Sequence, residues 1–104
     1  MNIAKMLKQV QKMQSDMESM KQELASKEID ISVGGGKVQV KGNGAGEILS
    51  IRIDPSVVDP NDVEMLEDLV LSGVKKAVEQ GKAMVQEEMS KLTQGLGLPP
   101  GFGF

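Results

Sequence analysis

The chain has 104 residues, a formal net charge of −3, and neither Cys nor His. Its length is typical of one domain, and its composition excludes disulfides, thiolate nucleophiles, and the commonest general base and metal ligand. Aromatic residues make up only 2% of the chain, so we expect a thin core that gains stability from self-association. No run of about 18 apolar residues and no signal-peptide pattern are present, which predicts a cytoplasmic protein without a membrane span.

The first segment repeats apolar residues at heptad spacing, at Ile3, Met6, Val10, Met13, Met17, Met20 and Leu24. This spacing predicts a helix from about Asn2 to Ser26, whose apolar seam packs against another helix. Lys5, Lys8 and Lys12 form a stripe turned away from that seam, and the first fifteen residues contain no acid. Spacing alone leaves two interpretations open: a solvated helix face or a surface that contacts phosphates.

From Glu28 the apolar period changes to two. This pattern predicts strands in residues 28–33, 37–41 and 47–53, arranged as a three-stranded antiparallel meander. A turn at Gly34–Gly36 joins the first two strands, and a turn at residues 42–46 joins the last two. In the second turn, Asn43-Gly44 is a signal for positive φ angles.

A second long helix follows Asp54-Pro55, with Asp59 predicted at the N-cap and Pro60 at the first helical position. Its pattern runs to about Leu92 and has two apolar faces. One face consists of Leu71, Val74, Val78, Val85, Met89 and Leu92. The other holds the predicted packing residues Leu66, Val70, Gly73, Ala77 and Gly81, of which the last three form a small-residue row that allows close backbone approach. Two apolar faces indicate two neighbours: the first helix, and either the sheet or a second subunit.

These elements predict an α+β fold in the order α-β-β-β-α, with one domain over residues 1–92. The Gly/Pro-rich residues 93–104 are predicted to form a flexible tail. GGGK at 34–37 is interpreted as a turn, because a phosphate-binding loop of the Walker type leads into a helix and this one leads into a strand. Glu64, Glu67 and Asp68 are interpreted as compensating a helix dipole. No enzyme activity, metal, cofactor or small-molecule substrate is expected.

Four longer motifs of the sequence are similar to those of a known protein family. The run IDPSVVDPNDVEMLEDLV (53–70), together with MLKQVQKMQ (6–14), GGGKVQVKGNG (34–44) and TQGLGLPPG (93–101), resembles the YbaB/EbfC family of nucleoid-associated proteins. The resemblance covers essentially the whole chain. It implies an intertwined, tweezer-like homodimer with paired helices projecting from a joined sheet. It also implies binding to double-stranded DNA and a role in nucleoid organisation or gene regulation.

The resemblance places DNA contacts on the projecting helices, at Lys5, Lys8 and Lys12 and at Lys82 and Lys91, which an antiparallel helix pairing would bring together. Lys reads base edges less well than Arg, and the chain has a single Arg, Arg52. We therefore expect contacts mainly to backbone phosphates, with weak sequence preference. An alternative is a protein-interaction adaptor that docks partners through the Met-rich seam or the C-terminal tail.

Overall fold

The computed structural model describes residues 2–95. Its elements, in chain order, are α1 (Ile3–Ser26), β1 (Glu28–Val33), β2 (Val38–Asn43), β3 (Ile48–Ile53), a short 3₁₀ turn (Pro55–Val57) and α2 (Val63–Gly95). This order confirms the predicted α+β fold with two long helices and three antiparallel strands. The tail predicted over residues 93–104 lies outside the described residues from position 96 onward, and α2 includes the three residues before that point.

Helix α1 begins where Asn2 caps it: the side-chain oxygen of Asn2 accepts a hydrogen bond of 3.2 Å from the backbone N–H of Lys5. Lys27 ends the helix in an extended conformation. Only Met20 and Leu24 of this helix are buried, both near its C-terminal end. The N-terminal half of the heptad seam is thus not covered by any part of the chain that the structure describes.

The three strands form one sheet in the order β1-β2-β3, with both pairs antiparallel, which confirms the meander. The turn between β1 and β2 uses three successive glycines with positive φ, Gly34 to Gly36, as their lack of a Cβ permits. The expectation of positive φ at Asn43-Gly44 is wrong: in that turn only Gly46 has a positive φ, of 86°. Asn43 instead remains in β2, paired with Glu28 across the sheet.

The predicted start of α2 is also wrong. The helix begins at Val63, and Asp62 caps it by accepting a hydrogen bond from the N–H of Met65. Asp59, the predicted cap, accepts from the N–H of Asn61 through its side chain and from the N–H of Asp62 through its carbonyl. These two bonds close a turn before the helix, so the capping role falls to the later Asp, which is three residues closer to the apolar pattern.

The core lies between α2 and the sheet. Val33, Val38, Val40 and Ala77 are its buried cluster, and partly buried apolar side chains of α2 surround it. The molecule is elongated, with extents of 70 × 22 × 16 Å. Its radius of gyration is 19.3 Å, whereas a compact chain of this length has about 13 Å. A single chain therefore buries little apolar surface for its size.

Candidate nucleic-acid interface

The lysine face of α1 consists of Lys5, Lys8 and Lys12, all exposed. At 100° per residue these three side chains lie on the side of the helix opposite the heptad seam. None of them forms an ion pair within residues 2–95. Since every residue from 2 to 12 is exposed, the lysine face belongs to a segment that projects away from the sheet.

Lys91 lies in a different environment. Its ammonium group is 3.5 Å from a carboxylate oxygen of Glu88 and 3.9 Å from one of Glu87. Glu88 also pairs at 3.5 Å with Lys27, directly after α1, so Lys91 is placed beside the C-terminal end of that helix. Lys5 is roughly 30 Å away from that end along the helix axis. Within one chain, Lys91 is therefore not brought next to the lysine face.

Lys82 lies nearer the sheet, where it lines a groove with the β2–β3 turn (Gly44–Gly46) and with Val78 and Val85 of α2. Its side chain is exposed and forms no ion pair in the described range. The five lysines proposed from sequence thus occupy three separate places: the projecting part of α1, the groove beside the sheet, and an ion-paired cluster at the α1–α2 junction.

The small-residue row of α2 packs against the sheet of its own chain. A Cβ at Gly73 would lie 2.7 Å from Cγ2 of Val40, and one at Gly81 would lie 3.3 Å from the carbonyl oxygen of Asn43. Ala77, between them, is 3% exposed. Leu66 and Val70 are partly buried beside the core cluster. The row therefore sets how closely α2 approaches β1 and β2, and α1 makes only minor contacts with α2.

Large apolar side chains remain exposed on β3 and α1. On β3, Ile48, Leu49, Ile51 and Ile53 are 38–48% exposed, although the register places Ile51 and Ile53 on the same face as the core residues Val40 and Val38. On α1, exposed fractions are 67% for Ile3, 50% for Met6, 57% for Leu7 and 52% for Val10. Sequence reasoning did not single out β3 as an exposed surface. Its adjacent apolar residues Ile48 and Leu49 coincide with a shift of register, since Lys41 pairs with Ser50 and Gly42 with Ile48.

The joint between α1 and the sheet is built around Asn43, which is 4% exposed. Its amide nitrogen donates to the carbonyl of Ala25 at 3.2 Å and to the carboxylate of Glu47 at 3.0 Å. Its side-chain oxygen accepts from the N–H groups of Ala45 and Glu47. The backbone N–H of Gly44 donates to the carbonyls of Leu24 and Lys27. These bonds fix the C-terminal end of α1, and hence the base from which the lysine face projects.

No helix in residues 2–95 is long and apolar enough to cross a membrane. A sequence model of the YbaB/EbfC DNA-binding family matches residues 1–96. Curated relatives include a nucleoid-associated protein of Ruminiclostridium cellulolyticum, 50% identical over 96% of this chain and 87% of that protein. A nucleoid-associated protein of Akkermansia muciniphila is 44% identical over the full length of both chains. In fold, the chain is similar to the crystal structure of the uncharacterized protein HP0035 from Helicobacter pylori, with a TM-score of 0.76 and 20% identity over 92% of this chain and 97% of that one.

Proposed function

Because the chain belongs to the YbaB/EbfC DNA-binding family, we propose that it binds double-stranded DNA as a homodimer and serves nucleoid organisation or gene regulation without catalysis. The primary contact surface in this proposal is the lysine face of α1, with Lys82 and Lys91 as secondary contacts. The proposed location is the nucleoid, in the cytoplasm. The observation that carries the proposal is the exposure, on one projecting helix face, of three lysines that form no ion pair within residues 2–95.

The chemistry of this face favours phosphates over bases. An ammonium group is a compact point charge that neutralises a phosphate well but lacks the fork geometry with which Arg recognises guanine. The described part of α1 contains neither Arg nor an aromatic side chain that would stack on an unpaired base. Binding through this face therefore depends on salt and varies little with DNA sequence.

The exposed apolar side chains of β3 support a homodimer. In the sheet that residues 2–95 form, β3 is an edge strand, and it carries four exposed large apolar residues. A monomeric protein normally protects such a surface. Pairing it with a second copy would satisfy the strand edge and cover these side chains together, at about 25 cal/mol per Å² of apolar surface removed from water. Two chains joined in this way would present two lysine faces, which doubles the number of phosphate contacts.

A pair of charge-reversal variants tests the contact surface. Lys5→Glu/Lys8→Glu removes two lysines of the face, and Lys75→Glu/Lys76→Glu makes the same change in net charge at two exposed lysines of α2. Fluorescence anisotropy with a labelled duplex, at low salt, measures both affinities. We expect the α1 variant to lose at least tenfold in affinity and the α2 control to lose much less. Equal losses would show that net charge, and not this face, governs binding.

The exposed seam of α1 favours a second candidate, the protein-interaction adaptor. Ile3, Met6 and Val10 present apolar surface that no part of residues 2–95 covers, and flexible Met side chains adapt to varied partners. The tail, as the other docking segment of this hypothesis, lies outside the described residues. Partner capture that survives nuclease treatment and is lost in Met6→Glu/Val10→Glu, combined with negligible DNA affinity of the wild type, would favour the adaptor over the DNA-binding protein.

A further inference from the structure

The joint at Asn43 combines a chemically labile dipeptide with the hydrogen bonds that hold α1 to the sheet. In an Asn-Gly sequence the backbone nitrogen of Gly attacks the preceding side-chain amide readily, because Gly has no Cβ to obstruct it. We propose that Asn43-Gly44 is a deamidation site that the docking of α1 keeps unreactive, and that its modification irreversibly releases α1 from the sheet.

The reaction needs atoms that the folded joint holds in place. The nitrogen of Gly44 forms a bond to Cγ of Asn43, the bond from Cγ to Nδ2 breaks, and ammonia leaves with the proton of the Gly44 N–H. Water then opens the resulting five-membered imide at either carbonyl and leaves aspartate or isoaspartate. No oxidant, reductant or further reactant is required.

The fold opposes each part of this reaction. The Gly44 N–H is engaged with the carbonyls of Leu24 at 2.9 Å and Lys27 at 3.1 Å. Both polar atoms of the Asn43 side chain are bonded, and the residue is closed to water. Of these partners, the Leu24, Ala25 and Lys27 carbonyls belong to the end of α1 or directly follow it. Attack at Cγ therefore requires that this end of α1 first leaves the sheet.

The product does not fit the joint. An aspartate at position 43 cannot donate to the Ala25 carbonyl, and its charge would lie about 3 Å from the Glu47 carboxylate in place of the present amide donor. Isoaspartate adds a backbone atom beside Gly44, where even a Cβ would lie 2.9 Å from Leu24. Release of α1 is thus made permanent. A loss of DNA affinity on release of α1 rests on the proposed function, whereas the deamidation itself does not.

Mass spectrometry of the aged full-length chain at mildly alkaline pH tests the site, with Asn2 and Asn61 as internal references. We expect conversion at Asn43 to be at least tenfold slower in buffer than in urea, which corresponds to an opening free energy of about 1.4 kcal/mol or more. Leu24→Ala, which removes a side chain packed on the joint, should accelerate conversion in buffer. Leu71→Ala, an exposed residue of α2, should not. Equal rates in buffer and urea, or no acceleration in Leu24→Ala, would overturn the proposal.

The release of α1 has its own test, and this test still decides the proposal if Leu24→Ala does not fold. Asn43→Asp reproduces one product, and amide hydrogen exchange reports on each element separately. We expect faster exchange in the last turns of α1 with β1–β2 still protected, and recovery in Asn43→Asp/Glu47→Gln, where an amide replaces the repelling carboxylate. Wild-type protection of α1 in Asn43→Asp would refute the release of this helix. DNA affinity is measured separately, so a failure of the proposed function can be distinguished from a failure of α1 to leave the sheet.

Discussion

Two glycine-to-alanine substitutions in α2 separate helix propensity from packing. Each replaces an interior helical glycine and gains about 1 kcal/mol of propensity. At Gly73 the new Cβ would lie 2.7 Å from Val40, which is 1% exposed and belongs to the buried core cluster. Relieving such overpacking costs typically about 1–3 kcal/mol. Gly73→Ala should therefore lower the free energy of unfolding by about 1 kcal/mol, and at most by about 2.

At Gly81 the nearest atom to a new Cβ is the Asn43 carbonyl oxygen at 3.3 Å, a contact that a shift of a few tenths of an ångström relieves. Gly81→Ala should therefore be neutral or stabilising by up to about 1 kcal/mol. Thermal unfolding at one fixed protein concentration compares the two variants, because association with a second copy would shift Tm with concentration. A difference of 1 kcal/mol corresponds to about 4–8 °C. A Gly73→Ala variant as stable as Gly81→Ala would refute the close packing of α2 on β2.

Three further variants test other parts of the structure. The pKa of Asp54 is lowered chiefly by the hydrogen bond from the backbone N–H of Ser56. The ionised carboxylate therefore stabilises the fold above the ordinary pKa of 3.8, and this stabilisation is lost as pH falls through the lowered pKa of the folded state. The stability difference between wild type and Asp54→Asn should consequently shrink in acid urea titrations; a pH-independent difference would contradict this. At Gly35 an added Cβ would meet open space, but the φ is +67°. Chemical denaturation of Gly35→Ala should therefore show a loss of about 1 kcal/mol in the free energy of unfolding, from backbone conformation alone. An unchanged midpoint would argue against the left-handed turn. Ile51→Lys should abolish dimers in sedimentation experiments if β3 is the interface, whereas intact dimers would place the interface elsewhere.

The elements that the sequence predicted correctly are those with strong periodicity. The heptad spacing of α1 fits only a helix, and the alternation around Val38 and Val40 fits only a strand, because the two periods place apolar side chains on one face in different structures. The start of α2 was less predictable, since Asp59 and Asp62 both have cap chemistry and only the turn that precedes the helix decides between them. A boundary of this kind depends on a few hydrogen bonds that compete locally.

The candidate site was partly predictable for the same reason. The lysine face follows from helical spacing, so its position on one side of α1 could be inferred from the sequence alone. The position of Lys91 could not, because its pairing with Glu87 and Glu88 depends on side-chain geometry at the α1–α2 junction. The buried role of Asn43 was also missed: its Gly-rich surroundings indicated a turn, whereas its contact with Ala25 joins residues distant in sequence.

The salt dependence of duplex binding tests the central claim most directly. If the three lysines of the lysine face in each of two chains neutralise one phosphate each, log K should fall against log salt concentration with a slope of about −5, and Lys5→Glu/Lys8→Glu should reduce this slope to about −2. A wild-type slope near zero, or the same steep slope in the variant, would contradict phosphate binding through the lysine face of α1.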